Sequence, residues 1–427
     1  MKRRQILQTL GAGSMLGALG FVTGCASPGT GKGPHVVVVG GGYGGATAAK
    51  YVRLWSDYGI QVTLIEPGAS FISCPMSNLV LAGNKRMADI TLSYDHLVKR
   101  HGVRVLRDKV TVIDADKRRV RLASGGELSY DRLIVSPGVD FMWETLPGMA
   151  SPQAQDKVLH AWKAGAQTVA LRQQLEAMPD GGVYALAIPL APYRCPPGPY
   201  ERACLVAHYF SQAKPKSKVL ILDANDDVTS KGPLFKQAWT DRYKNIIEYR
   251  PKHVVIDVDA ATHTLKFDFN DDVKADVLNV IPPMRAGDIA LKSGLATVNQ
   301  RWCEVDFLTF ESKVAKNVHV LGDAIQGAPI MPKSAHMANQ HGKTCAAAVV
   351  ALLTGRELNA MPIYNNTCYS FVSDEDAVHV NSVHQYDADK KTMLPVTGSV
   401  GVSKVANEFE GRYAQAWARG IWADTLG

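Results

Sequence analysis

A chain of 427 residues that is 46% hydrophobic and 20% charged is long enough for two or three globular domains and is neither disordered nor fibrous. Its formal charge of +7 comes from scattered Lys and Arg with no basic stripe, which excludes nucleic acid as an expected partner. Seven cysteines are too few to staple a scaffold of this size, so each needs its own reading.

The N-terminus, MKRRQILQTLGAGSMLGALGFVTGCASPGTGKG (1–33), has a basic start, a Gly-rich apolar run and small residues, and reads as an export signal and linker. The glycines and short run disfavour a membrane-spanning anchor. RRQIL resembles a twin-arginine signal, which predicts a periplasmic mature chain in which disulfides persist. VTGC resembles a lipobox, making Cys25 a candidate lipid attachment point and membrane tether; otherwise Cys25 leaves with the signal or stays near the new terminus.

HVVVVGGGYGGATAAKYVRLW predicts a buried parallel strand, a tight turn and a helix. Gly40, Gly42 and Gly45 fit GxGxxG in the strand-to-helix context that brings backbone N–H groups to a pyrophosphate. The next strand, QVTLIEP, ends at Glu66, placed to accept hydrogen bonds from an adenosine ribose. Cys74 follows in SFISCPMSN with three readings open: a small core residue, a lone redox cysteine, or a covalent flavin tether. The redox reading rests on a resemblance to coenzyme A disulfide reductases and NADH peroxidases.

The middle region carries GGVYALAIPLAPYRCPPGPYER and KVLILDAND. Its turn, Ile188-Pro189-Leu190-Ala191-Pro192, has no glycine; proline withholds N–H donors and Leu190 blocks close approach. A doubly wound shape without a nicotinamide nucleotide is predicted there. That removes the hydride source a lone redox cysteine at position 74 would need.

Later, VHVLGDAIQG predicts a strand ending at Asp323, and MPKSAHMANQHGKTCAAAVVALLTG a helix closed by Gly355. In the tail, Tyr413, Trp417 and Ile421 fall at i, i+4 and i+8 of a predicted helix, a stripe expected to be core packing first and a partner or flavin contact second. Cys204, Cys303 and Cys345 have apolar surroundings and are expected to be structural. No metal site is expected, and the absence of CxxCH excludes a haem on this chain.

The nucleotide-binding segments resemble the flavoprotein disulfide reductase superfamily. The resemblance implies an α/β fold with two doubly wound Rossmann-like domains. An FAD-binding domain (34–149 and 285–355) is interrupted by a nucleotide-binding-like one (150–284), and a C-terminal α+β interface domain (356–427) follows. It also implies that Asp323 contacts FAD and that Lys333 and Ser334 lie near the flavin ring.

RCPPGPYER (194–202), NTCYS (366–370) and the Cys74-x-x-Ser77-Asn78 pattern narrow this further. With HAWKAG, IPPMRAG, PKSAHMANQHGK and the final DTLG, they resemble the flavoprotein subunit of flavocytochrome c sulfide dehydrogenase across the mature chain. That resemblance implies FAD bound covalently through Cys74, a redox disulfide of Cys195 and Cys368 beside the flavin, and Glu201 as a nearby acid. Sulfide would open the disulfide, electrons would pass to FAD, and a separate c-type cytochrome subunit would accept them. The rivals are a sulfide:quinone oxidoreductase and an exported flavin thiol-disulfide or electron-transfer protein that does not act on sulfide.

Overall fold

Four consecutive valines set the first strand of the computed structural model, which describes residues 33–427. The export segment and Cys25 lie outside the described residues. In β1 (His35–Val39), Val36, Val37 and Val38 are fully buried, as a strand covered on both faces requires. It leads to α1 (Tyr43–Trp55), β2 (Gln61–Ile65), α2 (Ser77–Ala82), β3 (Arg104–Leu106) and β4 (Arg132–Val135). Next come β5 (Val183–Ile188), α3 (Gly198–Ala213), β6 (Lys218–Asp223), β7 (Ile247–Arg250) and β8 (Val277–Val280), then β9 (Val318–Val320) and α4 (Ala335–Thr354). The last stretch holds β10 (Ile363–Phe371), β11 (Ala377–Asp387), β12 (Thr392–Pro395), β13 (Gly401–Val402) and α5 (Glu408–Leu426).

The first sheet has the order β9-β4-β1-β2-β3, with every pairing parallel. It is completed by β9 only after the chain has built a second parallel sheet, β7-β6-β5-β8. The chain leaves and re-enters the first region through an antiparallel pair, Val139–Phe141 against Met284–Ala286. The third sheet, β10-β11-β12 with β13 on β11, is antiparallel throughout.

Close packing around the first turn depends on Gly45: a Cβ there would sit 1.9 Å from the Gly40 carbonyl oxygen. Polar clasps fix the tail to this region. Asp424 of α5 accepts hydrogen bonds from Tyr51 of α1 at 2.6 Å and Asn339 of α4 at 2.7 Å, and pairs with Lys343 at 2.8 Å. This anchors the C-terminal end of α5 against α1 and α4, with Ala418, Ile421 and Leu426 buried.

The second sheet keeps the winding but fills its own crevice. Asp223, at the end of β6 where a ribose-binding acid would stand, is fully buried. It accepts from the Tyr200 and Tyr249 hydroxyls at 2.7 and 3.1 Å and from the Asn225 amide side chain at 2.7 Å. Tyr200, Phe235, Trp239 and Tyr249 pack as one aromatic group around it. Leu190 stands in the turn above, 56% exposed.

Candidate active site

A cavity enclosing about 1330 Å³ of empty space, its open mouth included, lies at the C-terminal end of β1. Of the residues singled out by sequence, Gly42, Cys74, Cys195, Glu201, Asp323, Ser334 and Cys368 line it. They arrive from five separate segments: the first turn, the loop before α2, the loop and first turn of α3, the strand end and cap before α4, and β10.

Each cysteine is held differently. Cys74 follows the short strand Phe71–Ile72, and its carbonyl accepts from both the backbone N–H and the hydroxyl of Ser77. Cys195 has a left-handed backbone (φ 59°); its N–H donates to the Lys333 carbonyl at 2.9 Å and its own carbonyl accepts from the Gly198 N–H. The sequence's Pro-Pro pair thus closes a tight turn that points Cys195 into the cavity, just before α3 begins. Cys368 sits in the middle of β10, its sulfur 3.6 Å from the Asn366 side-chain nitrogen. Ser334 caps α4 by accepting from the Met337 N–H, and its hydroxyl donates to the Asn366 oxygen at 2.6 Å. The α4 N-terminus and Cys368 are therefore linked through one amide. Cys195 and Cys368 are both free thiols here, and burial pushes both thiols up from their ordinary value.

Glu201 stands in the first turn of α3. Its carboxylate accepts from the Asn78 side chain at 2.7 Å and from the Phe371 N–H at 2.8 Å. Burial raises its pKa, opposed by those two hydrogen bonds and then by the positive charges of Lys231 and Arg202. Arg202, 2% exposed, is satisfied by neutral groups: the Asn78 oxygen at 3.0 Å, the His160 and Ala161 carbonyls, and the Asn279 oxygen. Asn78 therefore bridges Glu201 and Arg202, which fixes the acid without neutralising it by direct ion pairing.

The residues present fit a bound dinucleotide. Gly42 lines the cavity, and among the described residues nothing lies within 4 Å of a Cβ built there, so this position leaves room that any side chain would fill. Behind it, the Glu66 carboxylate accepts from the Gly41 N–H at 2.7 Å and the Gly68 N–H at 2.8 Å, holding the turn open. Gly40 (φ +94°) and Gly45 build the turn without lining the cavity. Asp323, raised by burial and opposed by Arg194 and Lys333, faces the same space.

Two expectations need correction. Lys333 does not face the main cavity: its ammonium donates to the Asp323 and Ile325 carbonyls at 2.9 and 2.6 Å and lies 3.7 Å over the Trp302 ring. It braces the Asp323 turn through those two carbonyls. The Tyr413, Trp417, Ile421 stripe also divides. Ile421 is buried, Trp417 lines the cavity, and Tyr413 is 59% exposed, because the buried face of α5 runs through Gly411, Ala414, Ala418, Ile421 and Thr425 and Tyr413 lies beside it. Cys204, Cys303 and Cys345 are fully buried.

Sequence reasoning missed Arg194 and His336, both lining the cavity, and Lys231 behind Cys368. The His336 Nδ1 accepts from the Thr367 N–H at 3.0 Å, and burial lowers its pKa to about 4, so it is neutral near pH 7. Arg194 and His336 stood inside motifs already noted; nothing marked Lys231.

Residues 34–183 match the family "Pyridine nucleotide-disulphide oxidoreductase". Residues 168–282 match "Sulfide dehydrogenase [flavocytochrome c] flavoprotein chain, central", and residues 360–426 match "Flavocytochrome c sulphide dehydrogenase, flavin-binding". Over 46 residues, 11% of this chain and 94% of the other, it is 60% identical to the "Sulfide dehydrogenase [flavocytochrome c] flavoprotein chain" of Chlorobaculum thiosulfatiphilum. The chain belongs to the flavocytochrome c sulfide dehydrogenase flavoprotein family. This flavoprotein is also similar to the mitochondrial sulfide:quinone oxidoreductase of Mus musculus, 27% identical over 72% of this chain and 69% of the other. Its α/β fold matches the solved sulfide:quinone oxidoreductase of Aquifex aeolicus with a TM-score of 0.75 at 19% identity, covering 92% and 91% of the two chains.

Proposed function

We propose that this flavoprotein is an exported sulfide dehydrogenase that oxidises sulfide at Cys195 and Cys368 and passes electrons to a c-type cytochrome subunit carrying the haem. The observation that carries the reading is the convergence of Cys74, Cys195, Cys368 and Glu201 on the cavity that Gly42 and Asp323 also line.

Gly42 and Asp323 would hold FAD in that cavity, with Cys74 as its covalent tether. When bound, FAD supplies a two-electron acceptor that can release its electrons singly. Hydrosulfide attacks one sulfur of a Cys195–Cys368 disulfide. The old S–S bond breaks, a persulfide forms on the attacked cysteine and the other becomes a thiolate. Glu201, poised above the ordinary carboxylate range, takes up the proton that the sulfur sheds. The surrounding Arg202 and Asn78 fix Glu201 in place and keep its second oxygen on the Phe371 N–H. The twin-arginine segment would deliver the loaded protein to the periplasm, with Cys25 as its lipid attachment point.

A sulfide:quinone oxidoreductase reading draws on the similarity to the mouse protein and on exposed Val402, Val405 and Phe409 near the start of α5. Initial rates with sulfide and either a soluble c-type cytochrome or a short-chain ubiquinone separate the two. Cytochrome reduction with negligible quinone reduction supports the proposal; the reverse sinks the cytochrome assignment. Denaturation tests the tether separately: flavin retained on the Cys74 peptide is expected, and flavin released into the supernatant refutes covalent attachment.

A further inference from the structure

Lys231 lies in a Ser-Lys-Gly-Pro turn remote in sequence from either redox cysteine. Its backbone is left-handed (φ 58°), at the N-cap of the helix Gly232–Arg242. The side chain is 7% exposed and reaches across to β10, donating to the Cys368 carbonyl at 3.0 Å and the Ser370 hydroxyl at 2.7 Å. Both partners are neutral. A buried ammonium with neutral partners is costly unless an anion forms within its reach. The ionisable groups that face it are Cys368 on β10, Glu201 and Cys195 from α3 and the loop before it, and Glu410 on α5.

We infer that Lys231 is a positioning residue whose ammonium holds the Cys368 sulfur as an anion, thiolate or persulfide, once the cysteine pair has been opened. The surroundings of the two cysteines support this assignment. Burial raises both thiols, but the first group opposing it at Cys368 is Lys231, whereas at Cys195 it is Arg194, with Lys231 second. Burial also lowers the pKa of Lys231 to about 8, so the charge is present at pH 7 and is lost as pH rises through that value. Ser370 fixes the ammonium in place, and β10 sets the sulfur on the same strand two residues earlier.

The inference rests on the proposed role of the cysteine pair, yet its test reads thiol reactivity and not sulfide turnover, so the two fail separately. The full chain is reduced, and alkylation rates at Cys368 and Cys195 are followed by peptide mass spectrometry from pH 6 to 10. Lys231→Gln is expected to slow alkylation of Cys368 roughly tenfold at pH 7, where the ammonium is charged, with a smaller change at Cys195. Lys231→Arg should restore the rate. Buried Cys204, Cys303 and Cys345 report folding by staying unreactive. An unchanged Cys368 rate at pH 7 in folded Lys231→Gln overturns the inference. If that variant exposes the buried cysteines, Ser370→Ala is read instead: a smaller slowing at pH 7 is expected, and no slowing overturns the inference.

Discussion

The two parallel sheets of this protein are built alike and end differently. After β1 the chain turns through glycines, and a Cβ at Gly42 would meet nothing within 4 Å. After β5 it turns through Pro189 to Pro192 with Leu190 in the mouth, and the acid at the end of the neighbouring strand, Asp223, is consumed by Tyr200, Tyr249 and Asn225. Parallel winding therefore supplies a crevice in both sheets, but only the chemistry of the turn and of the strand-end acid decides whether a nucleotide can use it. The second region contributes the Cys195 turn and Glu201 to the first region's cavity.

The largest effect on this contrast is expected from Gly42→Val. A Cβ there meets no described atom within 4 Å, so the fold should survive while the cradle closes, and the purified variant should be colourless with an unchanged circular dichroism spectrum. Bound flavin at the wild-type level would break the assignment of the first turn. Cys195→Ser and Cys368→Ser should keep the flavin yet lose sulfide-dependent cytochrome reduction to background in a rate assay. Glu201→Gln retains an acceptor for Asn78 or Phe371 but cannot take a proton, so kcat should fall about a hundredfold.

The smallest expected effect concerns stability. Among the described residues, neither ring nitrogen of buried His341 has a hydrogen-bond partner, and the ring lies 4.8 Å from Phe310 and 5.3 Å from Tyr364. Burial lowers its pKa to about 3, so its folded form resists the proton that the unfolded chain binds near 6.5. Its contribution is present above about pH 6.5 and is lost as pH falls toward 3. His341→Leu removes the unpaired polar atoms and should stabilise by about 1 kcal/mol in denaturant titrations. It should also flatten the fall in Tm between pH 7 and 4.

Much of this layout was legible in the sequence because it rests on local rules. A valine run followed by GxGxxG specifies strand, turn and helix, and the glycine-free turn after Ile188 withholds the backbone N–H donors that a pyrophosphate would use. The other features depend on tertiary distance. Lys333 precedes the α4 cap, so its position suggested the ring; the carbonyls of Asp323 and Ile325, brought close by the Asp323 turn, captured it instead. The spacing of Tyr413, Trp417 and Ile421 was correct for a helix face. The buried face instead runs through Gly411, Ala414, Ala418, Ile421 and Thr425, which leaves Tyr413 beside it and Trp417 at the cavity. Lys231 carried no signal, since a lysine in a Ser-Lys-Gly-Pro turn reads as a solvated charge until β10 is folded against it.

Anaerobic addition of sulfide and, separately, of NADH to the flavin-loaded protein bears on both sheets at once. Sulfide should bleach the flavin absorbance within the mixing time of a turnover experiment, and NADH should leave it oxidised. Bleaching by NADH with no response to sulfide would contradict both the cysteine site and the closed crevice of the second sheet.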